Sequence, residues 1–289
     1  MTTLQNKIDF AIVFRVKNAN PNGDPLNGNR PRTDYGGFGE ITDVCLKRKL
    51  RDRLLEQGKK IFVQSDDRRE TGDEYRSLAE RARGILGEKL GGPDTAKLAC
   101  DAWFDVRAFG QLFAIKAEKK KAKKKDEATA ETENAGDTGI SIGIRGPVTI
   151  QSAFSIEPVS LTSTQITKSV SGEGDGTKRG SDTMGMKHRV DQGIYVSYGS
   201  ISPQLAERTG FSDDDAKAIK AVLPKIFEND ASSARPDGSM EVLKVIWWQH
   251  DSKAGKCSSA KVHRSLTVSP EGEIALMDIG LVPEVIPGF

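Results

Sequence analysis

A strict alternation of apolar residues near the start of the chain constrains the fold most. Ile8, Phe10, Ile12, Phe14 and Val16 occupy every second position, which is the period of a strand with one face on a hydrophobic core. The pattern predicts that residues 7–17 form the first strand of a sheet, and that the polar sequence after Lys17 leaves it as a loop.

This loop, residues 18–40, reads NANPNGDPLNGNRPRTDYGGFGE. Asn, Gly and Pro favour irregular backbone that exposes its own N–H and C=O groups. Asn20 and Asn22 offer neutral donors and acceptors, and Arg30 and Arg32 offer guanidinium groups that suit a phosphodiester chain. The alternative is a solvated crossover, but long ordered loops tend to be functional.

A basic helix follows the loop. Thr42 is a suitable N-cap for a helix that runs to about Gln57, and Gly58 is a suitable stop. Its expected apolar stripe consists of Ile41, Val44, Cys45, Leu50 and Leu54. Lys47 and Arg51 lie four residues apart and therefore point the same way, which places two cations behind the Asn-rich loop. The alternative is an ordinary solvated helix face.

Residues 58–139 are interpreted as an inserted helical subdomain, with a short strand at 60–64, a helix over 73–90 and an apolar stretch around 103–113. Within it, residues 116–137 hold seven lysines and six acidic residues without any apolar period, so this segment is expected to be disordered. The whole chain has a formal net charge of only +2. Any basic surface must therefore be local.

The second half of the chain alternates strands with one more excursion. The sequence predicts a strand over residues 140–160 that is interrupted at Gly146-Pro147, and a long polar loop over 161–190. It then predicts a strand over 193–201 and a helix over 212–227 that is kinked or restarted at Pro224. A strand over 240–250 and a terminal strand pair over 260–289 follow. Without the insertions the order is strand, helix, strand, strand, helix, strand, which is the ferredoxin-like arrangement. The aromatic signature of an RNA-recognition motif is missing, so binding is expected in the loops.

The sequence contains no recognisable catalytic or cofactor-binding motif. The glycines match neither nucleotide-binding pattern, His188, His250 and His263 have no metal-ligand spacing, and three unspaced cysteines fit a reducing cytoplasm. Asp24 and Asp34 are acids that in principle assist RNA cleavage by holding a metal, although capping of a turn is commoner. No cofactor, secretory signal or membrane span is expected.

Four segments together resemble a known family: the strand into NPNGDP, the helix after Thr42, GIRGPVTIQSA, and MGMKHRVDQGIYVSYG. They are similar to the backbone subunit of the type I-C CRISPR-associated surveillance complex, Cascade, and only residues 116–137 lie outside the pattern. The resemblance implies an α+β fold: a modified ferredoxin-like, RNA-recognition-motif palm with inserted helical fingers and a long thumb loop. The palm takes residues 1–57, 140–160 and 191–289, the fingers 58–139 and the thumb 161–190.

The resemblance also implies a function and a set of contacts. Copies stack head to tail along a CRISPR RNA and hold it, through its backbone, for pairing with target DNA. Other Cascade subunits are then partners: the guide-processing end subunit and the large and small subunits. The implied RNA-binding residues are Asn20, Asn22, Arg30, Arg32, Thr42, Lys47 and Arg51, with Lys168, Met184, Met186, Lys187, His188 and Arg189 in the thumb.

Three alternatives remain open from the sequence. The two methionines are either apolar wedges between bases or fillers of a core gap. A related RNA-targeting subunit would use Asp34 to cut RNA. A sequence-specific single-strand binder would need readers of base edges in a defined pocket.

Overall fold

The computed structural model describes residues 2–69, 72–115, 140–167 and 184–289. The strands are β1 Ile8–Ala19, β2 Gly23–Asp24, β3 Arg30–Pro31, β4 Phe38–Ile41, β5 Gly110–Ile115, β6 Ile140–Arg145, β7 Val148–Ile150, β8 Ala153–Pro158, β9 Leu161–Thr167, β10 Met184–Ile201, β11 Met240–Gln249, β12 Leu266–Val268, β13 Ile274–Leu276 and β14 Glu284–Pro287. The helices are α1 Asp43–Glu56, α2 Leu78–Leu86, α3 Thr95–Ala102, α4 Phe104–Phe109, α5 Pro203–Thr209, α6 Asp213–Val222 and α7 Ser259–Arg264.

The central sheet is antiparallel and has the strand order β14-β11-β1-β10-β8-β4, with β7 and β9 also paired to β10. Its inner part, β11-β1-β10-β8, combined with α1 after β1 and α6 before β11, is the ferredoxin-like arrangement. The predicted mixed α+β fold class is confirmed. The interruption at Gly146-Pro147 is also confirmed, because β6 ends at Arg145 and β7 begins at Val148.

One face of the sheet packs against α1 and α6. Phe10 stacks on Trp247 with ring centroids 5.7 Å apart, and Phe14 stacks on Tyr195 at 5.6 Å. All four side chains are buried, and each contributes about 1.5–3 kcal/mol on burial. The alternation that predicts β1 therefore identifies this core correctly.

The opposite face of the sheet is covered as well. Ala11, Val13, Ile246 and Trp248 form a second core with residues of the C-terminal segment, among them Val262 and Leu266. An ordinary RNA-recognition motif binds bases on a sheet face. Here the C-terminal segment occupies that place, so the expectation that binding lies in the loops has a structural reason.

The helix α1 begins and ends close to the predicted positions. The Thr42 hydroxyl accepts a hydrogen bond from Cys45 N at 3.3 Å, and Gly58 follows the helix with a φ of +76°. The expected apolar stripe is wrong at one position, because Val44 is exposed and Leu46 is buried in its place. The helix α6 ends at Val222, and Pro224 starts a separate 3-10 turn over Leu223–Lys225.

The segment between α1 and β6 has a small core of its own, built from Phe62, Ala82, Trp103 and Phe113 among others. Two expectations for this segment are wrong. Residues 60–64 form no strand, and the helix expected over 73–90 is limited to α2. Ser77 and Glu80 form a capping box at its start, so the local capping signal outweighs the charge pattern before it.

We expect deletion of residues 117–136 to leave folding and RNA binding nearly unchanged. This segment lies outside the described residues, but β5 and β6 on either side of it are paired, with Ile115 opposite Ile140. A short turn therefore suffices to join them, and loop closure changes by only about 0.6 kcal/mol per twofold change in length. Thermal unfolding and RNA titration of the deleted chain test this. A large loss of RNA affinity would contradict it and show that the lysines bind RNA.

The segment 161–190 differs from the expected loop. Its described ends form an antiparallel ribbon, in which β9 pairs with the first part of β10 from Leu161 opposite Val190 to Thr167 opposite Met184. The strand β10 then continues into the centre of the sheet. The polar composition of this segment predicts a loop, but Thr and Val are also good strand formers. The segment forms a strand because it pairs with β10, a long strand of the central sheet.

Two of the cysteine thiols lie in surroundings that disfavour their charged form. Burial raises the pKa of the Cys100 thiol to about 11 and also raises the pKa of Cys45, which disfavours the reactive thiolate. Among the helices that the structure describes, none combines the length and apolarity needed to span a bilayer.

Candidate nucleic-acid interface

Three parts of the fold meet beside the first half of β10. The loop 18–40 follows β1, whose end Ala19 pairs with Val190 at the base of the β9-β10 ribbon. The Asn20 side-chain amide donates to the carbonyl of Asn29 at 2.7 Å, which ties β3 to the same place. The third part is the N-terminus of α1, which begins where this loop ends. Most sequence-predicted binding residues lie in these three parts.

The two asparagines have internal roles. Asn20 is buried, and Asn22 Oδ1 accepts hydrogen bonds from both Thr42 N and the Thr42 hydroxyl at 3.0 Å. One amide donor of Asn20 and Oδ1 of Asn22 are therefore engaged within the chain, and contact of these two residues with RNA stays a prediction. They fasten the loop to itself and to α1, and Thr42 acts mainly as the helix cap.

Most cations of α1 also point inward. Lys49 forms a buried ion pair with Asp230, and although burial lowers its pKa, the neighbouring carboxylate favours its charged form. Arg53 is buried beside Glu56. Arg51 donates from Nε to the buried carboxylate of Asp105 at 2.9 Å. Of the predicted pair, Arg51 is thus engaged inside the fold, and Lys47 is half-buried with its ammonium group 2.9 Å from Asp43.

Arg51 and Lys47 should therefore respond differently to replacement with Ala. Lys47→Ala is expected to lower the salt dependence of RNA binding by about 0.7, the value for one phosphate contact on a single strand. Arg51→Ala is expected to lower the free energy of unfolding instead, because it removes a partner of Asp105. Salt titrations and chemical denaturation of both variants separate the two effects. A larger change of salt slope for Arg51→Ala than for Lys47→Ala would contradict this assignment.

Among the cations of the loop and the ribbon, Arg30, Lys187 and Arg189 are exposed, whereas Arg32 is half-buried. Arg30 and Lys187 make no ion pair with any residue in the described ranges. Arg32 lies 3.3 Å from Asp24, and Arg189 lies 3.5 Å from Asp191. An exposed ion pair such as Arg189–Asp191 contributes little, typically 0–1 kcal/mol, so the Arg189 guanidinium group can exchange a carboxylate for a phosphate at small cost.

The ribbon has two chemically distinct faces. Alternation along β10 places Met184 and Met186 on one face and Lys187 and Arg189 on the other. The methionines are exposed, which argues against the core-filler alternative. His188 belongs to the methionine face, where it is nearly buried and hydrogen-bonded to Ser163 at 2.7 Å. His188 therefore lies apart from Lys187 and Arg189, and Lys168 lies outside the described residues.

A short hairpin ends the loop. Asp34 N donates to Phe38 O, and Glu40 N donates to Arg32 O, both at 2.9 Å. One carboxylate oxygen of Asp34 accepts from Gly36 N at 2.8 Å and from Phe38 N at 2.9 Å. Asp34 thus caps the turn at the hairpin tip, which is the structural role that sequence reasoning weighed against catalysis.

One buried polar cluster has no counterpart in the sequence analysis. Asp9 is buried on β1, 2.8 Å from His250 Nε2 and 2.9 Å from Lys7 Nζ, with His263 Nε2 at 3.6 Å. Burial lowers the pKa of His263. These residues are separated by up to about 250 positions, so no local spacing signals the cluster. It fastens the C-terminal segment to the sheet.

The described ranges contain no group of three or more His, Cys, Asp or Glu side chains arranged to hold a metal ion. The functional groups beside β10 are cations, the carboxylates of Asp24 and Asp191 that lie next to two of them, methionines and backbone amides. Cations and backbone amides suit the phosphates of a nucleic-acid backbone.

A ferredoxin-like sheet that is covered on both faces, with cations on an adjoining loop and ribbon, is typical of a protein that holds nucleic acid outside the sheet. The family model for CRISPR-associated protein Cas7 matches residues 6–279. The chain is also 31% identical over 261 residues to the CRISPR-associated protein Cas7 of Haloferax volcanii, covering 85% of this chain and 71% of that relative. The chain belongs to the Cas7 family, the RNA-binding backbone subunits of CRISPR effector complexes.

Two solved structures are similar to this chain at lower sequence identity. One is a chain of a CRISPR RNA-guided surveillance complex in a pre-nicking state, with 15% identity, coverage of 84% of this chain and 75% of that chain, and a TM-score of 0.45. Another is a chain of the type III-B Cmr-beta complex bound to cognate target RNA, with 11% identity, coverage of 83% and 60%, and a TM-score of 0.41.

Proposed function

We propose that this chain is a non-catalytic, CRISPR RNA-binding backbone subunit of a type I-C surveillance complex in the cytoplasm. Copies assemble head to tail along the guide RNA and hold it for pairing with target DNA, together with the guide-processing end subunit and the large and small subunits. One observation carries the proposal: the exposed cations of the loop and the ribbon lie together beside β10, outside a sheet whose faces are both buried.

The distribution of charge supports backbone recognition. Arg30, Arg32, Lys187 and Arg189 supply charge to phosphates, and phosphate contacts hold a strand without reading its sequence. The spacer part of a guide varies, so such a grip suits it. A formal net charge of only +2 also limits repulsion between stacked copies and indiscriminate binding of nucleic acid.

The alternative function is metal-dependent cleavage of target RNA with Asp34. One oxygen of its carboxylate accepts two backbone hydrogen bonds within its own turn. This role favours a structural function for the Asp34 carboxylate. Protonation of that oxygen, or a metal ion bound to it, would compete with the two backbone hydrogen bonds that close the turn. The turn geometry therefore supports the non-catalytic proposal over the alternative.

Cleavage is tested directly with protein assembled on a guide and incubated with guide-complementary RNA and Mg²⁺ or Mn²⁺. We expect the RNA to stay intact, and Asp34→Asn, whose side-chain oxygen can still accept both hydrogen bonds, to behave the same way. Metal-dependent cuts that disappear in Asp34→Asn would establish the enzyme instead. Equal affinity across unrelated RNA sequences distinguishes backbone recognition from a sequence-specific binder.

A further inference from the structure

Tyr35 has an unusual position at the tip of the hairpin that ends the loop 18–40. Its side chain is exposed in full, although tyrosine generally buries its ring. On either side of the tip, Thr33 pairs with Gly39 and Asp34 with Phe38. The ring is therefore presented to solvent by an ordered turn.

Two further contacts hold this tip in place. The two hydrogen bonds to the Asp34 carboxylate close the turn from inside. The carbonyl of Gly37 accepts from Val159 N at 3.0 Å, which attaches the tip to the end of β8. An aromatic ring on such a turn is pre-organised, so a ligand that stacks on it loses little conformational freedom of the protein.

The same attachment places Tyr35 near the base of the ribbon. Ser160, directly after Val159, accepts a hydrogen bond from Asp191 N at 3.0 Å, and Leu161 then pairs with Val190. Lys187 and Arg189 project from the ribbon just beyond this base. Arg32 lies in the stem of the hairpin itself. The hairpin that carries the ring therefore has one cation in its own stem and is joined through β8 to the base of the cationic ribbon.

We propose that Tyr35 stacks on a nucleobase of the bound single strand, while the neighbouring cations hold the adjoining phosphates. This inference rests on the proposed function and adds a base-contacting residue to a site otherwise built for the backbone. Stacking suits a variable guide, because every base has a π face and the contact is tolerant of sequence.

The neighbours of the ring favour a base over a second protein. Asp34 and Gly36 adjoin Tyr35 in the chain, and the other aromatic ring of the hairpin, Phe38, is half-buried against Gly36. Tyr35 is therefore a single fully exposed ring, unlike the contiguous apolar patch that forms the core of a protein interface. A single ring with cations beside it has the composition of a single-strand binding site.

The test compares Tyr35→Leu with Tyr35→Phe. Leu keeps an apolar side chain and removes the π face, whereas Phe keeps the π face and removes the hydroxyl. The probe is a fluorescently labelled, unstructured 12-nucleotide RNA of mixed sequence, compared with the same length of abasic ribose phosphate. Leu26→Ala is the matched control, because Leu26 is equally exposed in the same loop.

We expect Tyr35→Leu to bind the RNA about 5- to 150-fold more weakly, the range for loss of one stacked base, and to bind the abasic strand like the unaltered protein. Tyr35→Phe and Leu26→Ala should stay within about twofold for both probes. Equal binding by Tyr35→Leu and the unaltered protein overturns the inference. Equal weakening in Tyr35→Phe also overturns it, because the hydroxyl would then be the contact.

Sedimentation on long RNA provides a further readout. Normal affinity for the 12-nucleotide RNA with loss of assemblies in Tyr35→Leu would assign the ring to a neighbouring copy and overturn base stacking. If the unaltered protein binds neither probe, the proposed function fails and this inference fails with it. If it binds both and Tyr35→Leu is unchanged, only this inference fails.

Discussion

Replacing Asp105 with Ala should lower the free energy of unfolding by about 3–5 kcal/mol, the range for removing one partner of a buried ion pair. Asp105 is 1% exposed. Its carboxylate accepts from Phe62 N at 2.7 Å, Val63 N at 3.1 Å and Arg51 Nε at 2.9 Å. The substitution leaves a guanidinium group and two backbone amides without this partner in a buried place.

The size of this effect follows from what Asp105 connects. Arg51 belongs to α1, whereas residues 62 and 63 begin the inserted segment with its own core. The carboxylate therefore joins the sheet domain to the insertion. Asp101→Ala is the matched control, since Asp101 is exposed in the neighbouring helix α3, and a change within about 0.5 kcal/mol is expected. Urea denaturation of both variants gives the comparison, and similar stabilities would show that the ion pair is unimportant.

The two faces of the β9-β10 ribbon should give separable defects. Replacing Lys187 and Arg189 together with Ala removes two exposed cations from one face. If each contacts one phosphate, the slope of log affinity against log salt concentration should fall by about 1.4, twice the value of 0.7 for a single-strand contact. Affinity should fall alike for every RNA sequence, because phosphates carry no sequence information.

Replacing Met184 and Met186 together with Ser should leave that slope unchanged, since no charge is removed. If the methionines separate stacked bases, this variant should instead lose the regular interruption of stacking along the RNA. Chemical probing of nucleotides in the bound RNA measures it, and a repeating pattern in the unaltered protein should become uniform. Both substitutions lie on exposed positions of the same strand, so each serves as a stability control for the other.

Equal effects of the two double substitutions would contradict the assignment of separate roles to the two faces of the ribbon. Equal loss of salt dependence in both double variants would mean that the methionines act by supporting the cations. Uniform reactivity along RNA bound to the unaltered protein would refute the wedge role of the methionines. That result would not bear on the role of Lys187 and Arg189 as phosphate contacts.

The sequence alone determines the elements whose signals are local. The alternation of Ile8 to Val16 specifies a strand with one buried face, because the side-chain period of a strand is two. Thr42 and Gly58 mark the ends of α1 through capping. Pro224 ends a helix because proline has no backbone N–H to donate. The order of these elements is sufficient to predict the ferredoxin-like arrangement, and the four similar segments predict the family.

Only the tertiary structure decides which charged and polar groups of these elements are available to a ligand. Lys49 and Arg51 are as basic in the sequence as Lys47, but their partners Asp230 and Asp105 are 181 and 54 residues away. The amide of Asn20 and the imidazole of His188 are likewise used internally. A buried charge requires a partner brought by the fold, and a partner distant in sequence leaves no local pattern, so the cationic surface and the exposed ring of Tyr35 emerge only when the chain is folded.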